Sequence, residues 1–530
     1  MSKENLLRIS LIIILVFACF IYFYRLDKES LSTDEYFSLY AAGQPLKEII
    51  FSHKAETNPN TMPPLYQIIS HFCMLIFGPT VFAQRTFSAL LGILSIYTIY
   101  RLAELLFDRR TGILSALFAV LSYSWFYSFR MHRCYSLLIL LTILSFYVFF
   151  YWLENKNSKY SLIYLTIINI ALTYTHYFAF WVILLQLLIT VLNEKRFNRQ
   201  IKNILLMCSV VFLAYIPWLS NLLHDINKEP LLSENYGYLN TWRQLSDIVM
   251  VLFYNFHFRW DPALTIVYLP LIIAGIYSLL KHGPARSKRN LVYLILIFVI
   301  PFLTIYLFTY SNRVRYYVPF SFPLLIILAL GIQVALRHKL KKFLLVPLVL
   351  WIGTFNVLDF HDFFRNPLTE NWKLAAQYIK NVPGYRNKEM VFIFQTRYNP
   401  PVFAYYYWNN KVARSLINNI SNYRPYEKDI PRLKTKDKIY LVSDMEGDEF
   451  FEKLEVFPDN AWIWIFRYHD AFFANNFRIR NNGRYFFHQI TLNKEIPQID
   501  FYLVKRVGQN KYSEPIVMDW PDIVNIDTCK

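Results

Sequence analysis

Residues 82–122 read "FAQRTFSALLGILSIYTIYRLAELLFDRRTGILSALFAVLS". Two apolar runs flank the segment "RLAELLFDRR" (101–110), which carries three arginines. A helix needs roughly 17–25 apolar residues to cross a bilayer, and both runs reach that range when the second is followed to 128. Two such helices joined by a basic turn form a membrane hairpin, with the turn expected in the cytoplasm because positive loops stay inside.

The rest of the chain repeats this pattern. Of 530 residues, 55% are hydrophobic and 18% aromatic, which excludes a large soluble enzyme. The net charge of +18 does not point to nucleic acid, because the basic residues sit in short loops between apolar runs. "NEKRFNRQIK" (193–202), "KHGPARSKR" (281–289) and "RHKLKK" (337–342) are such loops, and "ENKNSK" (154–159) is a weaker one. Eleven spans satisfy them all: 7–24, 85–106, 110–128, 135–153, 160–174, 177–192, 203–221, 263–281, 290–310, 316–336 and 343–358. The N-terminus is then cytoplasmic and the C-terminus outside. The first run lacks a small-residue cleavage site and reads as a retained helix.

"PPLYQIISHFCMLIFG" (63–78) is apolar but short. Counting it as a span would move "RLAELLFDRR" outside. It reads instead as a helix lying along the outer surface or dipping into it, with Pro63 and Pro64 suited to a helix start.

Past residue 360 the long apolar runs stop. "NWKLAAQYIKN" (371–381) and "DEFFEKLEVF" (448–457) have helical spacing. "MVFIFQ" (390–395), "KIYLVSD" (438–444), "AWIWIFRY" (461–468) and "DFYLVKRV" (500–507) read as strands. The expected architecture is a polytopic helical membrane domain, 1–359, with a long first external loop, 25–84, followed by an extracytoplasmic α/β domain, 360–530. Trp408, Trp462 and Trp464 read first as core of that domain and second as platforms for sugar rings. Cys19, Cys73, Cys134, Cys208 and Cys529 show no CxxC or metal-type spacing, so no disulfide framework is expected. No GxGxxG or P-loop pattern occurs.

The external face collects the chemistry. "LSTDEYFSLY" (31–40) places Asp34 and Glu35 just beyond the first span. Alone, such a pair reads as solvated loop carboxylates or as a helix cap. The turns "FRMHRCY" (129–135), "YTHYF" (174–178) and "TYSNRVRYY" (309–317) add Arg130, His132, Arg133, His176, Arg313 and Arg315 on the side where positive charge is normally sparse. Any one of these groups can snorkel or cap a helix end. Together they describe a site for an anion, since arginine matches phosphate geometry, beside a carboxylate able to take a proton. A lipid-linked phosphate at the outer leaflet fits. His176 reads equally as a satisfied core histidine or a helix-end cap, and "VRYYVPFSFP" (314–323) reads also as an interfacial aromatic belt.

The chain resembles the GT-C glycosyltransferases, specifically the bacterial relatives of protein O-mannosyltransferases and of the lipid A aminoarabinose transferase. The matching stretches run in order: "STDEYFSLYAA" (32–42), "PPLYQIISHFCMLIFG" (63–78), the hairpin at 82–122, "RMHRCYSLLILL" (130–141), "YTHYFAFWVILLQLL" (174–188), "YIPWL" (215–219), "NRVRYYVPFSFPLLIILA" (312–329) and "NWKLAAQYIK" (371–380). The resemblance implies a GT-C fold of about eleven transmembrane helices and an inverting transfer. The donor is a polyprenyl-phosphate-linked sugar, the acceptor a hydroxyl of lipid A, polysaccharide or protein. The reaction would take place on the outer face of the bacterial inner membrane.

By the same resemblance, Asp34 is the general base, and Glu35 orients the acceptor or a cation. Arg133, Arg313, Arg315 and, less directly, Arg85 hold the donor phosphate. Tyr66, Tyr135, His176 and Tyr316 line the pocket. No cofactor is required by anything in the sequence; a divalent metal stays open. Two positions depart from the pattern: Met62 stands where relatives carry His, and Met131 where they carry an acid. An O-antigen polymerase or ligase is a rival, although it would place its large soluble loop between spans. A lipid-linked-sugar transporter is another, although it would place ionisable groups near the midplane and show internal repeats.

Overall fold

The structure is a computed structural model that describes residues 3–51, 62–155, 158–193, 199–228, 261–309, 314–337, 341–365, 372–381, 390–394, 400–407, 417–419, 438–441, 462–468, 485–491 and 499–506. The chain divides into two units. One comprises Met1–Glu29 with Asp34–Pro367, the other Ser30–Thr33 with Leu368–Lys530.

The first unit is helical. Its elements are α1 (Lys3–Phe23), α2 (Thr33–Ala42), α3 (Leu46–Phe51), α4 (Leu65–Phe77), α5 (Val81–Leu106), α6 (Arg109–Leu121), α7 (Tyr123–Arg130), α8 (Tyr135–Glu154), α9 (Lys159–Thr173), α10 (Ala179–Asn193), α11 (Arg199–Lys228), α12 (Asp261–His282), α13 (Ala285–Thr309), α14 (Phe322–Arg337) and α15 (Lys341–Arg365). All eleven expected spans fall on these helices. Among the described residues, five segments are long and apolar enough alone to cross a membrane: Glu4–Phe23, Val81–Leu106, Tyr135–Glu154, Arg199–Leu223 and Ala285–Ile305. Apolar side chains such as Ile12, Ile13, Val16 and Phe20 of α1 are exposed, as a lipid-facing surface requires.

Two expected spans are not single helices. The stretch 110–128 breaks at Ser122 into α6 and α7, bent by 64°. Ser122 has extended backbone, φ −68° and ψ 116°. The stretch 316–336 opens with two 3₁₀ turns, Val314–Tyr316 and Val318–Phe320, before α14 begins. Pro319, whose ring fixes φ and removes a donor, lies inside the second turn.

Helix α4 is 13 residues long. At 1.5 Å per residue it rises about 20 Å, short of the roughly 30 Å hydrocarbon core. It buries Tyr66, Gln67 and Ser70 and exposes Phe72, Leu75, Ile76 and Phe77. Its first N–H, on Leu65, donates to the Tyr174 carbonyl at 2.9 Å, which ties it to the turn carrying His176.

One group of buried polar side chains inside the bundle satisfies its own members. Ser145 donates to Asn169 Oδ1 (2.6 Å), Asn169 Nδ2 to Gln186 Oε1 (2.8 Å), and Gln186 Nε2 to Ser145 Oγ (2.7 Å). This closed triangle joins α8, α9 and α10. Elsewhere α12 and α14 approach closely at Gly275 and Gly331. A Cβ built on Gly275 would stand 2.8 Å from the Gly331 backbone nitrogen.

The second unit carries a six-stranded sheet of order β2-β3-β1-β4-β6-β5. Its strands are β1 (Met390–Phe394), β2 (Ile417–Asn419), β3 (Lys438–Leu441), β4 (Trp462–Tyr468), β5 (Tyr485–Thr491) and β6 (Ile499–Arg506). The β2-β3-β1-β4 half is parallel; β6 runs antiparallel to β4 and β5 to β6. Helices α16 (Trp372–Asn381) and α17 (Pro400–Tyr407) accompany it. Phe392 of β1 packs on Phe403 and Tyr407. The Ser30–Thr33 segment joins this unit through Leu31 N–H to Tyr406 Oη at 2.6 Å and Lys373 N–H to Ser30 Oγ at 3.3 Å. The four expected strands and the helix at 371–381 occur; β2, β5 and α17 were not expected. The expected helix at 448–457 and Trp408 lie outside the described residues.

Candidate active site

Helix α2 begins at Thr33, so Asp34 and Glu35 occupy its first turn. The positive end of the helix dipole favours carboxylates there. Neighbouring residues on a helix point about 100° apart, and the two acids accordingly meet different partners.

Glu35 turns inward and is 0% exposed. Arg85, in the second turn of α5, holds it with two parallel hydrogen bonds, Nε to Oε1 and Nη2 to Oε2, both 2.8 Å. Arg85 Nη1 donates to the Leu26 and Glu29 carbonyls at 3.0 and 3.1 Å. The backbone N–H of His132 donates to Glu35 Oε1 at 2.9 Å. All three guanidinium nitrogens of Arg85 are thus engaged, and the group is 2% exposed. This geometry departs from the expectation that Arg85 faces a donor phosphate, because a buried carboxylate recruits it as counterion.

Asp34 turns the other way and is partly exposed. Its Oδ2 pairs with Arg315 Nη1 from the first 3₁₀ turn. Its backbone carbonyl accepts from Arg133 Nη1 at 2.8 Å, and the same nitrogen reaches Ser38 Oγ at 3.0 Å. Two arginines from separate turns therefore converge on the first turn of α2. Arg133 Nε and Arg315 Nε are buried donors with no partner among the described residues. Arg313 lies outside them.

The remaining expected residues fall into two places. Tyr135, His176 and Tyr316 share one aromatic wall. The Tyr135 ring lies 5.7 Å from His176 and 6.4 Å from Tyr316, and Phe178 stands edge-on to Tyr316 at 5.5 Å. Tyr66 is elsewhere. It is fully buried among Leu91, Cys134, Leu137 and Leu140, and its hydroxyl bonds Ser88 and His132 Nδ1, each at 3.0 Å. This placement departs from the expectation that Tyr66 lines the substrate pocket.

Sequence reasoning missed the roles of two groups in the 129–135 turn. Arg130 caps the end of α1: Nη1 donates to the Ile21, Tyr22 and Tyr24 carbonyls and Nη2 to Glu29 Oε1. It thus serves the last carbonyls of the first span.

His132 wires the turn to α4. Its Nε2 bonds Ser70 Oγ at 3.1 Å. Ser70 spends its only proton on Gln84 Oε1 at 2.9 Å, so Nε2 carries the histidine proton and Nδ1 accepts from Tyr66. Burial pushes the imidazole down to about 4, against the opposing pull of Glu35. No short-range signal announces this network, because its members lie 14 to 66 positions apart.

Glu35 spends both oxygens on Arg85, Asp34 pairs with Arg315, and no group of three or more His, Cys, Asp or Glu converges among the described residues.

Comparison with known proteins bears on this arrangement. Residues 61–220 match a family model described as dolichyl-phosphate-mannose-protein mannosyltransferase. No curated protein matches the sequence. Among solved structures, the chain is similar to ArnT from Cupriavidus metallidurans in the apo state, with 13% identity, TM-score 0.51, and 93% of this chain and 97% of that one covered. It is also similar to the archaeal oligosaccharyltransferase AglB from Archaeoglobus fulgidus, solved in complex with an inhibitory peptide and a dolichol-phosphate. There the identity is 12%, the TM-score 0.52, and the coverage 87% of this chain and 69% of that one.

Proposed function

We propose that the chain is a membrane-bound relative of the GT-C glycosyltransferases and that it transfers a sugar from a polyprenyl-phosphate donor to a hydroxyl acceptor, with inversion, on the outer face of a bacterial inner membrane. The N-terminus would be cytoplasmic and the second unit extracytoplasmic. The observation that carries the proposal is the meeting of Asp34 with Arg133 and Arg315 in the first turn of α2.

In this scheme Asp34 takes the proton of the acceptor hydroxyl. The acceptor oxygen attacks the anomeric carbon, and the bond from that carbon to the phosphate oxygen breaks. The lipid phosphate leaves with the bonding electrons and the added negative charge. Arg133 and Arg315 stabilise that charge through fixed N–H donors. Arg315 exchanges Asp34 for the phosphate as the donor arrives, which couples donor occupancy to release of the base. Glu35 acts as a positioning group: through Arg85 and the His132 amide it fixes α2 against α5 and the 131–134 turn.

Purified protein in nanodiscs, supplied with radiolabelled polyprenyl-phosphate sugars and a panel of lipid, glycan and peptide hydroxyl acceptors, tests this. The expected result is release of polyprenyl phosphate with one acceptor class, abolished in Asp34→Asn. Failure of every donor and acceptor pairing, or full activity in Asp34→Asn, would overturn the assignment.

A further inference from the structure

His176 lies in the turn between α9 and α10 and is 2% exposed. Its Nδ1 accepts the backbone N–H of Phe178 at 3.1 Å, so that nitrogen holds a lone pair. Burial, aided by the positive charges of Arg133 and Arg315, keeps the ring neutral and pushes it down to about 3. A neutral imidazole whose Nδ1 accepts carries its proton on Nε2.

That Nε2–H is buried and has no hydrogen-bond partner among the described residues. A buried donor left unpaired is costly, and native structures keep few of them. Packing and the bond from the Phe178 N–H account for the ring and for Nδ1, but they leave the Nε2–H without a role. The surroundings point to a ligand. The His176 ring lies tilted against Phe178 at 4.5 Å and against Tyr135 at 5.7 Å, and both rings meet Tyr316, the residue after Arg315. Arg133 Nε and Arg315 Nε are likewise buried donors without a partner among the described residues. Three turns thus bring N–H groups that lack an acceptor among the described residues, Arg133 Nε, His176 Nε2 and Arg315 Nε. Two are charged and one is neutral.

We propose that His176 is a donor-binding residue whose Nε2–H hydrogen-bonds an oxygen of the phosphoryl-sugar group of the lipid-linked substrate. It rests on the transferase function proposed above and adds a directional, uncharged contact to the two arginines. The acceptor atom is a phosphoryl oxygen or a sugar oxygen; both offer the lone pair that the geometry demands.

The test is binding by purified protein in nanodiscs of two probes, polyprenyl phosphate and polyprenyl-phosphate mannose. His176→Phe keeps an aromatic ring and removes both the Nε2–H donor and the Nδ1 acceptor. His176→Gln places an amide nitrogen near the Nε2 position. The expected loss in His176→Phe is about tenfold, equivalent to about 1.4 kcal/mol, with His176→Gln within about threefold of wild type. Loss toward both probes identifies a phosphoryl oxygen, and loss toward the mannosylated lipid alone a sugar oxygen. His176→Phe binding both probes like wild type overturns the inference. So do equal losses in both variants accompanied by a lowered Tm, which mark a packing role. Wild type that binds neither probe, or Arg133→Ala/Arg315→Ala protein that binds like wild type, removes the transferase assignment itself and the inference with it.

Discussion

Glu35 and Arg85, 50 residues apart in sequence, form a two-pronged ion pair almost wholly shut off from solvent. Removing one member of a buried pair leaves an uncompensated charge and costs about 3–5 kcal/mol. Arg85→Met is therefore expected to lower the Tm sharply in detergent. The double variant Glu35→Gln/Arg85→Met, which leaves no buried charge, is expected to recover part of the loss. Thermal unfolding of the three proteins checks both statements.

Asp34 is partly exposed and belongs to the proposed chemistry rather than to the scaffold. Asp34→Asn is expected to keep the wild-type Tm and to bind donor at least as tightly, because Arg315 is freed, while transfer falls by about 10²–10⁴, the range for loss of a general base. Single-turnover assays beside binding measurements separate the two effects.

Arg315 is shared between Asp34 and the proposed phosphate. Arg315→Lys keeps the charge but loses the planar fork. It is expected to raise the donor KM more than it lowers kcat, whereas Arg315→Ala lowers both. Steady-state kinetics over a donor series distinguishes these outcomes.

Two buried neutral histidines set the acid limit of stability. Burial holds His132 at about 4 and His176 at about 3, both below the ordinary 6.5. Above that ordinary value both rings are neutral, folded or unfolded, and contribute nothing to the pH dependence. Below it, the unfolded chain binds protons that the folded chain refuses. Stability is expected to fall from pH 6.5 toward 4 by about 1.4 kcal/mol per pH unit per histidine. His132→Gln should halve that slope. Tm against pH for both proteins measures it.

The close crossing of α12 and α14 has no room for a side chain at Gly331. A Cβ there would overlap the Leu271 carbonyl oxygen. Gly331→Ala is expected to destabilise by about 1–3 kcal/mol through overpacking, read as a lower Tm with donor affinity unchanged.

The membrane frame was legible because each apolar run is long, and the basic loops divide one run from the next. The break at Ser122 was not, since no proline or glycine marks it; it depends on how α7 packs, with Trp125 Nε1 bonded to Ser321 Oγ at 2.9 Å. Within the site, the placement of Asp34, Arg133 and Arg315 on a common face followed from counting spans. What the count could not supply was the sharing of partners. Arg85, Arg130 and Arg133 have the same composition signal. Yet one serves a buried carboxylate, one caps a helix, and one reaches the Asp34 carbonyl. Strand β2 escaped because three residues carry no readable period, whereas β5, "YFFHQIT" just after the turn signal "NNG" (481–483), was legible and went unread.

The Asp34–Arg315 pair also has a meaning for synthesis. Its members are 281 positions apart. At about 5–20 residues per second, the carboxylate leaves the ribosome roughly 15–55 seconds before its cation. A chain interrupted anywhere in that interval holds an acid without the arginine that pairs with it. The site is closed by the connection that precedes α14, so no chain that stops short of it can assemble the site.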